Sequence, residues 1–544
     1  MQNKKISFKI ISDSFPTLER PIKQYDAHCV TYLIHNNKQL YIGESSNLRS
    51  RFKDHNKSKD DHKLKSSQII ISDYFNKSAV YDIETKLINF MFADNKFELI
   101  NRKTKQSSHQ YFMKREINEH VFRGIWKELM KRGLAQNDLD SLENSSLFKY
   151  SPYKEFSEEQ LKAVESIIKA ITEPTEETLI HFDGSSLKRR KIKNSPGKGF
   201  VIEGAPGTGK SLLVIKLIQD LIKTYGVDLS IAVCIPQTSL RSTFKRLLRQ
   251  AKLKVKIIKP IDMSKDIKNK YDLLIVDEAH RLKQYFGRQA KDLKHLNKGE
   301  FNELDFARKK SKNLILMYDS EQTVRPADIP KETIKKQNFK TFKLSQQFRV
   351  LSNGDYLKFI KSLLQMNDSK PAPSQIGGYN LKLIDCPQGL HDLIKAHEKE
   401  VGLSRMCSGY FIKWKSKKQP TFLDFKDIGL KAKWNSTLEG WVNKAFSVNE
   451  VGCIHTLQGV DLNYAGVIIG DDIYYDPNED KIKVNTENYK DINGTPILGT
   501  DMNDTQLTEY IKNIYYVLLT RGIHGTYIYV RDKNLRAYLQ KYIS

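Results

Sequence analysis

From residue 199 onward the chain is punctuated by short apolar runs, at 199–203, 229–235, 271–276, 313–318, 465–469 and 525–530. Apolar residues fill successive positions in these runs, the pattern of strands covered on both faces in a parallel sheet. The run at 212–222 is longer and reads as a helix. Strands that alternate with helices define an α/β architecture. The first hundred residues are patterned differently. Residues 30–34 and 39–42 predict two strands joined by a turn at Asn36, Asn37 and Lys38, with a basic helix over 47–55, within a small α+β unit from Tyr25 to about Lys105. An amphipathic helix over 114–132 and a polar stretch ending at Ser151 and Pro152 then suit a spacer. Ser157 follows, placed to cap a helix that begins at Glu158.

The sharpest signal lies between the apolar run at 199–203 and the helix at 212–222. Gly204, Ala205, Pro206, Gly207, Thr208, Gly209, Lys210 and Ser211 form a G-x-x-x-x-G-K-S loop, the strand-to-helix turn that cradles phosphates. Gly204, Gly207 and Gly209 let the backbone turn its N–H groups inward, and the helix start adds its positive dipole end. Lys210 is placed to reach the β- and γ-phosphates of ATP, and Ser211 to ligate magnesium. The strand at 271–276 ends in Asp277 and Glu278. Paired acids at that position fit magnesium-assisted hydrolysis, with Asp277 holding the metal and Glu278 orienting and deprotonating the attacking water. Gln322, beyond the strand at 313–318, is placed to sense the γ-phosphate. Arg349, in a separate lobe, could complete the site with a fixed positive charge.

Composition narrows the partner. The 544 residues hold 90 Lys and Arg against 64 Asp and Glu, a net charge of +26, which favours nucleic acid over an acidic small molecule or a membrane surface. Cys29, Cys234, Cys386, Cys407 and Cys453 stand singly, so neither a disulfide framework nor a zinc site is indicated. No apolar run approaches membrane-spanning length and the first residues lack the apolar core of a signal peptide. A cytoplasmic protein with no membrane partner is expected. Basic residues beside aromatics around Arg405, Trp414, Trp434 and Trp441 could stack bases or fill a core. A basic insertion over 183–198, containing Lys188, Arg189, Arg190 and Lys191, could contact nucleic acid.

The N-terminal unit carries Tyr32, then Tyr41, Ile42 and Gly43, then Arg49, Arg51, His55, Glu84 and Asn101. This order and spacing resembles the GIY-YIG nuclease family, with Val30, Thr31 and Tyr32 standing for the first tripeptide and Tyr41, Ile42 and Gly43 for the second. The resemblance implies that Glu84 holds a divalent metal, that Arg51 contacts the scissile phosphate, and that Tyr32, Tyr41 and His55 handle proton transfer and positioning. Glu44 stands where some members carry a lysine, and an acid there repels phosphate unless it is turned away or paired.

From residue 156 to the end the chain resembles superfamily 1 helicases of the Schlafen type. The resemblance implies that Gln160 reads the adenine edge, that Gln458 and Asp461 lie near nucleic acid and ribose, and that Arg521 is a second arginine on the γ-phosphate. The fold it implies is α/β: a small N-terminal α+β GIY-YIG domain (24–105), a helical connector (106–155), and two RecA-like parallel-sheet lobes (156–335, which binds ATP, and 336–544). The expected activity is an ATP- and Mg2+-dependent helicase or translocase joined to a metal-dependent endonuclease that cleaves DNA, in defence against phage or in DNA repair. An RNA-directed enzyme and an ATP-switched sensor without translocation are the alternatives. Expected partners are nucleic acid, DNA before RNA, and a second copy or a defence-system protein.

Overall fold

Strands form where the apolar runs place them. The computed structural model describes residues 7–15, 28–57, 64–101, 111–151, 153–154, 156–172, 197–224, 229–264, 270–285, 302–352, 355–372, 376–491 and 504–543. Most of the basic insertion, including Lys188 to Lys191, lies outside the described residues, as does Pro152. The chain forms two compact units: Met1–Leu161 with Ile215–Val227 and Arg246–Leu253, and Lys162–Val214 with Asp228–Lys245 and Lys254–Ser544.

The first unit is built on five strands, β1 (Lys9–Ser14), β2 (Val30–His35), β3 (Gln39–Ser45), β4 (Ser66–Ile71) and β5 (Glu98–Leu99), in the order β1-β4-β2-β3-β5. The β2–β3 hairpin turns where expected. The Asn36 carboxamide oxygen accepts the amides of Lys38 and Gln39 at 2.7 Å each, the local bond that makes asparagine a turn former. Helix α1 (Leu48–Lys57) buries Leu48 and Phe52 with Tyr32, Ile34 and Ile69. Helix α2 (Lys77–Asp94) starts at Asn76, whose side chain accepts the Ala79 amide, and stops at Asn95 in the left-handed conformation.

The segment after α2 is not a spacer where it is described. Its helical run from Lys114 to Lys131 contains a π-helical turn at Ile117–Val121. Phe122 and Trp126 pack on Phe90 of α2 with ring centroids 5.4 and 5.6 Å apart. The Arg132 guanidinium bonds Ser12 Oγ and the Ile10 carbonyl of β1, and Asp94 accepts the amides of Gln136 and Asn137. The segment's few apolar residues are nearly all committed to this packing, which is why its composition reads as linker.

The second unit holds two all-parallel sheets. One comprises β6 (Gly199–Gly204), β7 (Ile231–Cys234), β8 (Lys256–Ile258), β9 (Tyr271–Val276), β10 (Ser311–Tyr318) and β11 (Lys340–Leu344), ordered β11-β6-β10-β9-β7-β8. Strand β11, assigned by sequence to the second lobe, instead extends the first sheet by pairing with β6, so the change of sheet falls after Leu344. The other sheet comprises β12 (Asn380–Leu383), β13 (Ser404–Ser408), β14 (Lys433–Trp434), β15 (Glu450–Cys453), β16 (Leu462–Ile469) and the last strand, β19 (Gly522–Val530). Its order is β12-β19-β16-β13-β15-β14, with a separate hairpin of β17 (Ile473–Asp476) and β18 (Lys481–Val484). No described helix is long and apolar enough to cross a membrane.

Trp434 and Trp441 belong to the second core. Trp434 is fully buried, its ring 4.7 Å from Phe425 and 5.3 Å from Tyr410, and Trp441 donates its indole N–H to Glu450 Oε2 at 2.8 Å. Neither can stack a base. Trp434→Ala is expected to cost about 3–5 kcal/mol, read as a lowered denaturant midpoint for the helicase unit; an unmoved midpoint would contradict the core assignment.

Candidate active sites

Parallel pairing brings the carboxyl ends of β6, β10 and β9 to one edge of the first sheet, because Tyr318 pairs with Glu203 and Leu316 with Val276. Gly204 closes β6 at this edge, and Asp319 and Asp277 follow directly after β10 and β9. The loop after β6 turns through Gly207 (φ 83°) and Gly209 (φ 79°), a conformation that a Cβ would strain. A side chain at Gly204 would lie 2.4 Å from Thr208 Oγ1, and Thr208 closes the loop by donating to the Ala205 carbonyl at 2.9 Å.

Lys210, at the start of the helix Lys210–Gln219, donates to the carbonyls of Gly204 (2.6 Å) and Ala205 (3.1 Å) and to Asp319 Oδ2 (3.3 Å). Ser211 Oγ donates to Asp277 Oδ2 at 2.8 Å. Burial, reinforced by the adjacent Glu278, raises the Asp277 carboxyl above its usual range. Burial acts in the same sense on Glu278, but His280, 2.9 Å away, and Lys210 prevail and hold it ionised, below the usual range. Glu278 also has left-handed backbone (φ 53°), a costly conformation for a side-chain residue that is found at functional sites. Gln322 donates to Asp319 Oδ2 at 2.7 Å, so Asp319 links Lys210 to Gln322.

Residues of the second lobe meet this edge. The Phe348 amide donates to the Gly207 carbonyl at 2.9 Å, and a Cβ at Gly207 would fall 2.7 Å from Arg349 Cβ. Arg349 pairs with Asp461. Arg521 is fully buried, and Nε donates to the Val517 carbonyl at 2.9 Å while Nη2 has no hydrogen-bond partner. Burial, then the nearby Arg349 charge, lowers its pKa to about 9, against the pull of Asp461, Glu278 and Asp319. Gln458 Nε2 donates to the Gln322 carbonyl at 3.0 Å and lies 3.3 Å from His280 Nε2, while Gln237 bonds its carbonyl.

These donors fit a magnesium-bound triphosphate. Asp277 Oδ1 is buried and has no hydrogen-bond partner among the described residues, and it lies beside Ser211, a hard-oxygen pair of the kind magnesium takes. The glycine loop leaves room that side chains would fill. Lys210 and Arg521 supply positive charge from two lobes.

Gln160 is placed differently from the rest. Its carboxamide oxygen accepts the Ser157 amide at 2.8 Å, and its own amide bonds Ser157 Oγ at 3.3 Å. That reciprocal pair is a capping box.

In the first unit, β2 and β3 set Tyr32 opposite Gly43. A Cβ on Gly43 would lie 2.5 Å from the Tyr32 hydroxyl, so glycine is required for Tyr32 to cross the hairpin. Tyr32 Oη bonds His55 Nε2 at 2.8 Å, and Arg51 donates to both Tyr32 Oη and Tyr41 Oη at 3.2 Å. Burial, then Tyr41, raises the Tyr32 phenol well above its ordinary value, with a smaller contribution from Glu84. Tyr32, Tyr41, Arg51 and His55 are therefore in contact, and Glu84 of α2 acts on them through its charge. Glu44 pairs with Lys77, which neutralises the acid that stands near this site. Asn101 clamps β3, donating to the Ile42 carbonyl at 2.7 Å and accepting the Ile42 amide at 3.2 Å.

Sequence reasoning placed Gln237 in a stretch, 236–240, expected to contact the nucleic-acid backbone, and gave no role to Asp319 or His280. Position could have flagged these two: Asp319 follows the strand beside the phosphate-loop strand, and His280 lies two residues beyond Glu278.

The geometry gathers a glycine-rich loop, acids and arginines at the edge of two parallel sheets, and separately a cluster of tyrosines, an arginine and a histidine on a small sheet. A family model for the Schlafen group 3 DNA/RNA helicase domain matches residues 197–532, and one for the GIY-YIG catalytic domain matches 28–96. The chain belongs to the Schlafen group 3 helicase family and carries a GIY-YIG domain. An uncharacterized protein of Saccharomyces cerevisiae is 27% identical over 426 residues, covering 68% of this chain and 89% of its own length. The crystal structure of arterivirus nonstructural protein 10, a helicase, aligns at a TM-score of 0.30 and 13% identity over 62% of this chain. The chain spans 61% of that helicase's length.

Asn101→Ala is expected to leave the buried Ile42 amide and carbonyl without their partner, a loss of about 1–3 kcal/mol. Amide hydrogen exchange at Ile42 should accelerate at least fivefold, and unchanged protection would exclude the clamp.

Proposed function

We propose that this helicase–nuclease fusion is an ATP-driven translocase that moves along DNA and supplies substrate to a metal-dependent endonuclease, in defence against foreign DNA or in DNA repair. One observation carries the motor half: the second lobe bonds the glycine loop itself, the Phe348 amide to the Gly207 carbonyl at 2.9 Å, which sets Arg349 against the loop that leads into Lys210.

On this reading the phosphate loop wraps the triphosphate and Lys210 exchanges its two carbonyl partners for phosphate oxygens. Ser211 and Asp277 would hold magnesium, which supplies charge neutralisation at the phosphates. Glu278, ionised beside His280, orients the attacking water and accepts its proton. Gln322 senses the γ-phosphate through Asp319, and Arg349 and Arg521 meet the charge that develops there. Asp461 borders the ribose. Cleft closure on ATP and opening after hydrolysis shift two nucleic-acid grips, which is a translocation step.

For the nuclease, Arg51 holds the scissile phosphate, and Tyr32, Tyr41 and His55 position and move the proton of the attacking water. Glu84 would hold the divalent ion, which supplies Lewis-acid stabilisation of the developing charge. The tyrosine–histidine–arginine contacts and the GIY-YIG match support this assignment. The +26 charge supports a nucleic-acid substrate; DNA and RNA are separated by assay.

Lys210→Ala is expected to abolish nucleic-acid-stimulated ATP hydrolysis, and Arg521→Ala to reduce it about a thousandfold. Persistence of ATPase in Lys210→Ala would end the motor reading. Glu84→Ala should abolish magnesium-dependent cutting of paired DNA and RNA substrates while hydrolysis of ATP continues. Equal cutting by Glu84→Ala and wild type would refute the nuclease assignment.

A further inference from the structure

The connection from β13 to β15 spans 409–449 and is far longer than neighbouring parallel strands need. Over 411–449 it carries eight lysines against three acids, Asp424, Asp427 and Glu439. Asp424 is buried and occupied: it accepts the amides of Lys415 (2.8 Å), Ser416 (3.0 Å) and Trp434 (3.0 Å). That carboxylate ties a turn-rich stretch to the fully buried Trp434, and Lys433 pairs with the buried Glu450 at 3.8 Å, so the outward charge is seven exposed lysines against two acids.

The turn it anchors concentrates this charge. Lys413, Lys415, Lys417 and Lys418 are all exposed. Among the described residues none of the four pairs with a carboxylate. Lys415 instead lies over the Phe422 ring, 5.0 Å from its centroid, and Lys417 over Trp414 at 5.8 Å. Phe422 is 36% exposed. Four exposed lysines within six residues, one of them over a half-open aromatic ring, suit a chain of phosphates with planar groups between them. A duplex hides its base faces, whereas an unpaired strand offers them.

We infer that the anchored turn over 413–422 is a grip of the second lobe on single-stranded nucleic acid, in which the lysines hold phosphates and Phe422 stacks a base. The inference deepens the motor reading and rests on it, because a translocating lobe needs a hold on the strand. It moves base stacking from Trp434 and Trp441, which are core, to Phe422.

The test is fluorescence anisotropy of labelled oligo-dT and oligo-U with the full chain over a salt series. The combined variant Lys413→Gln, Lys415→Gln, Lys417→Gln, Lys418→Gln should flatten the log affinity against log salt slope by about 3, at roughly 0.7 per lost phosphate contact. Phe422→Ala should weaken binding about five- to hundredfold with the slope unchanged. Thermal midpoints equal to wild type verify that both variants are folded. Variants that bind as wild type does would overturn the grip and assign the lysines to another occupant, such as an acidic protein surface, leaving the motor reading in place. A wild-type chain that binds neither oligonucleotide at low salt would overturn the motor reading and the grip with it.

Discussion

In-register parallel pairing of β6, β10 and β9 is the constraint on which the helicase unit depends. Because these strands run side by side in the same direction, Gly204, Asp319 and Asp277 must emerge at one edge. The pairing thus brings the loop after β6 against the positions that follow β9 and β10, which in this chain are acids. Burying Lys210, Asp277, Glu278 and Asp319 together exacts a desolvation penalty that local ion pairs only partly offset. The signs remain visible in the raised Asp277 and the lowered Arg521. A site tuned in both directions by burial is suited to a ligand that brings both a polyanion and a cation.

Much of this was legible because fully covered strands are written as unbroken apolar runs. The runs at 271–276 and 313–318 fall within β9 and β10, and the phosphate loop sits between β6 and a helix. Residues whose neighbours are distant in sequence were not legible. Trp434, flanked by lysines, reads equally as a stacking aromatic or a core residue, and only the fold reveals Phe425, Tyr410 and Asp424 around it. Strand β11 reads as second-lobe because its pairing partner β6 lies more than a hundred residues earlier. Glu44 reads as a repulsive acid near a phosphate until Lys77, on the next helix but one along the chain, is seen to pair with it. Gln160 occupies the expected position, yet its visible bonds are those of a helix cap.

The two candidate sites are built by opposite means. In the nuclease site a tight antiparallel hairpin brings aromatics together, and the absence of a side chain at Gly43 makes room for Tyr32. Its polar atoms are knit into one local network of Tyr32, Tyr41, Arg51 and His55, assembled from residues within about one and a half turns of helix and one hairpin. The nucleotide site draws on residues from Gly204 to Arg521 and on two sheets. The first can form as soon as its small sheet does; the second exists only when both lobes are folded and adjacent.

That dependence gives the nucleotide site its mechanical character. Gln458 of the second lobe reaches three points of the first: the Gln322 carbonyl, the His280 ring and Gln237 beyond β7. His280 is also the partner that keeps Glu278 ionised in its buried setting. A relative movement of the lobes would shift the glutamine against which the partner of Glu278, the buried His280, rests. On the proposed reading of Glu278 as the acid that orients water, the position of the second lobe reaches that acid through one short chain, Gln458 to His280 to Glu278.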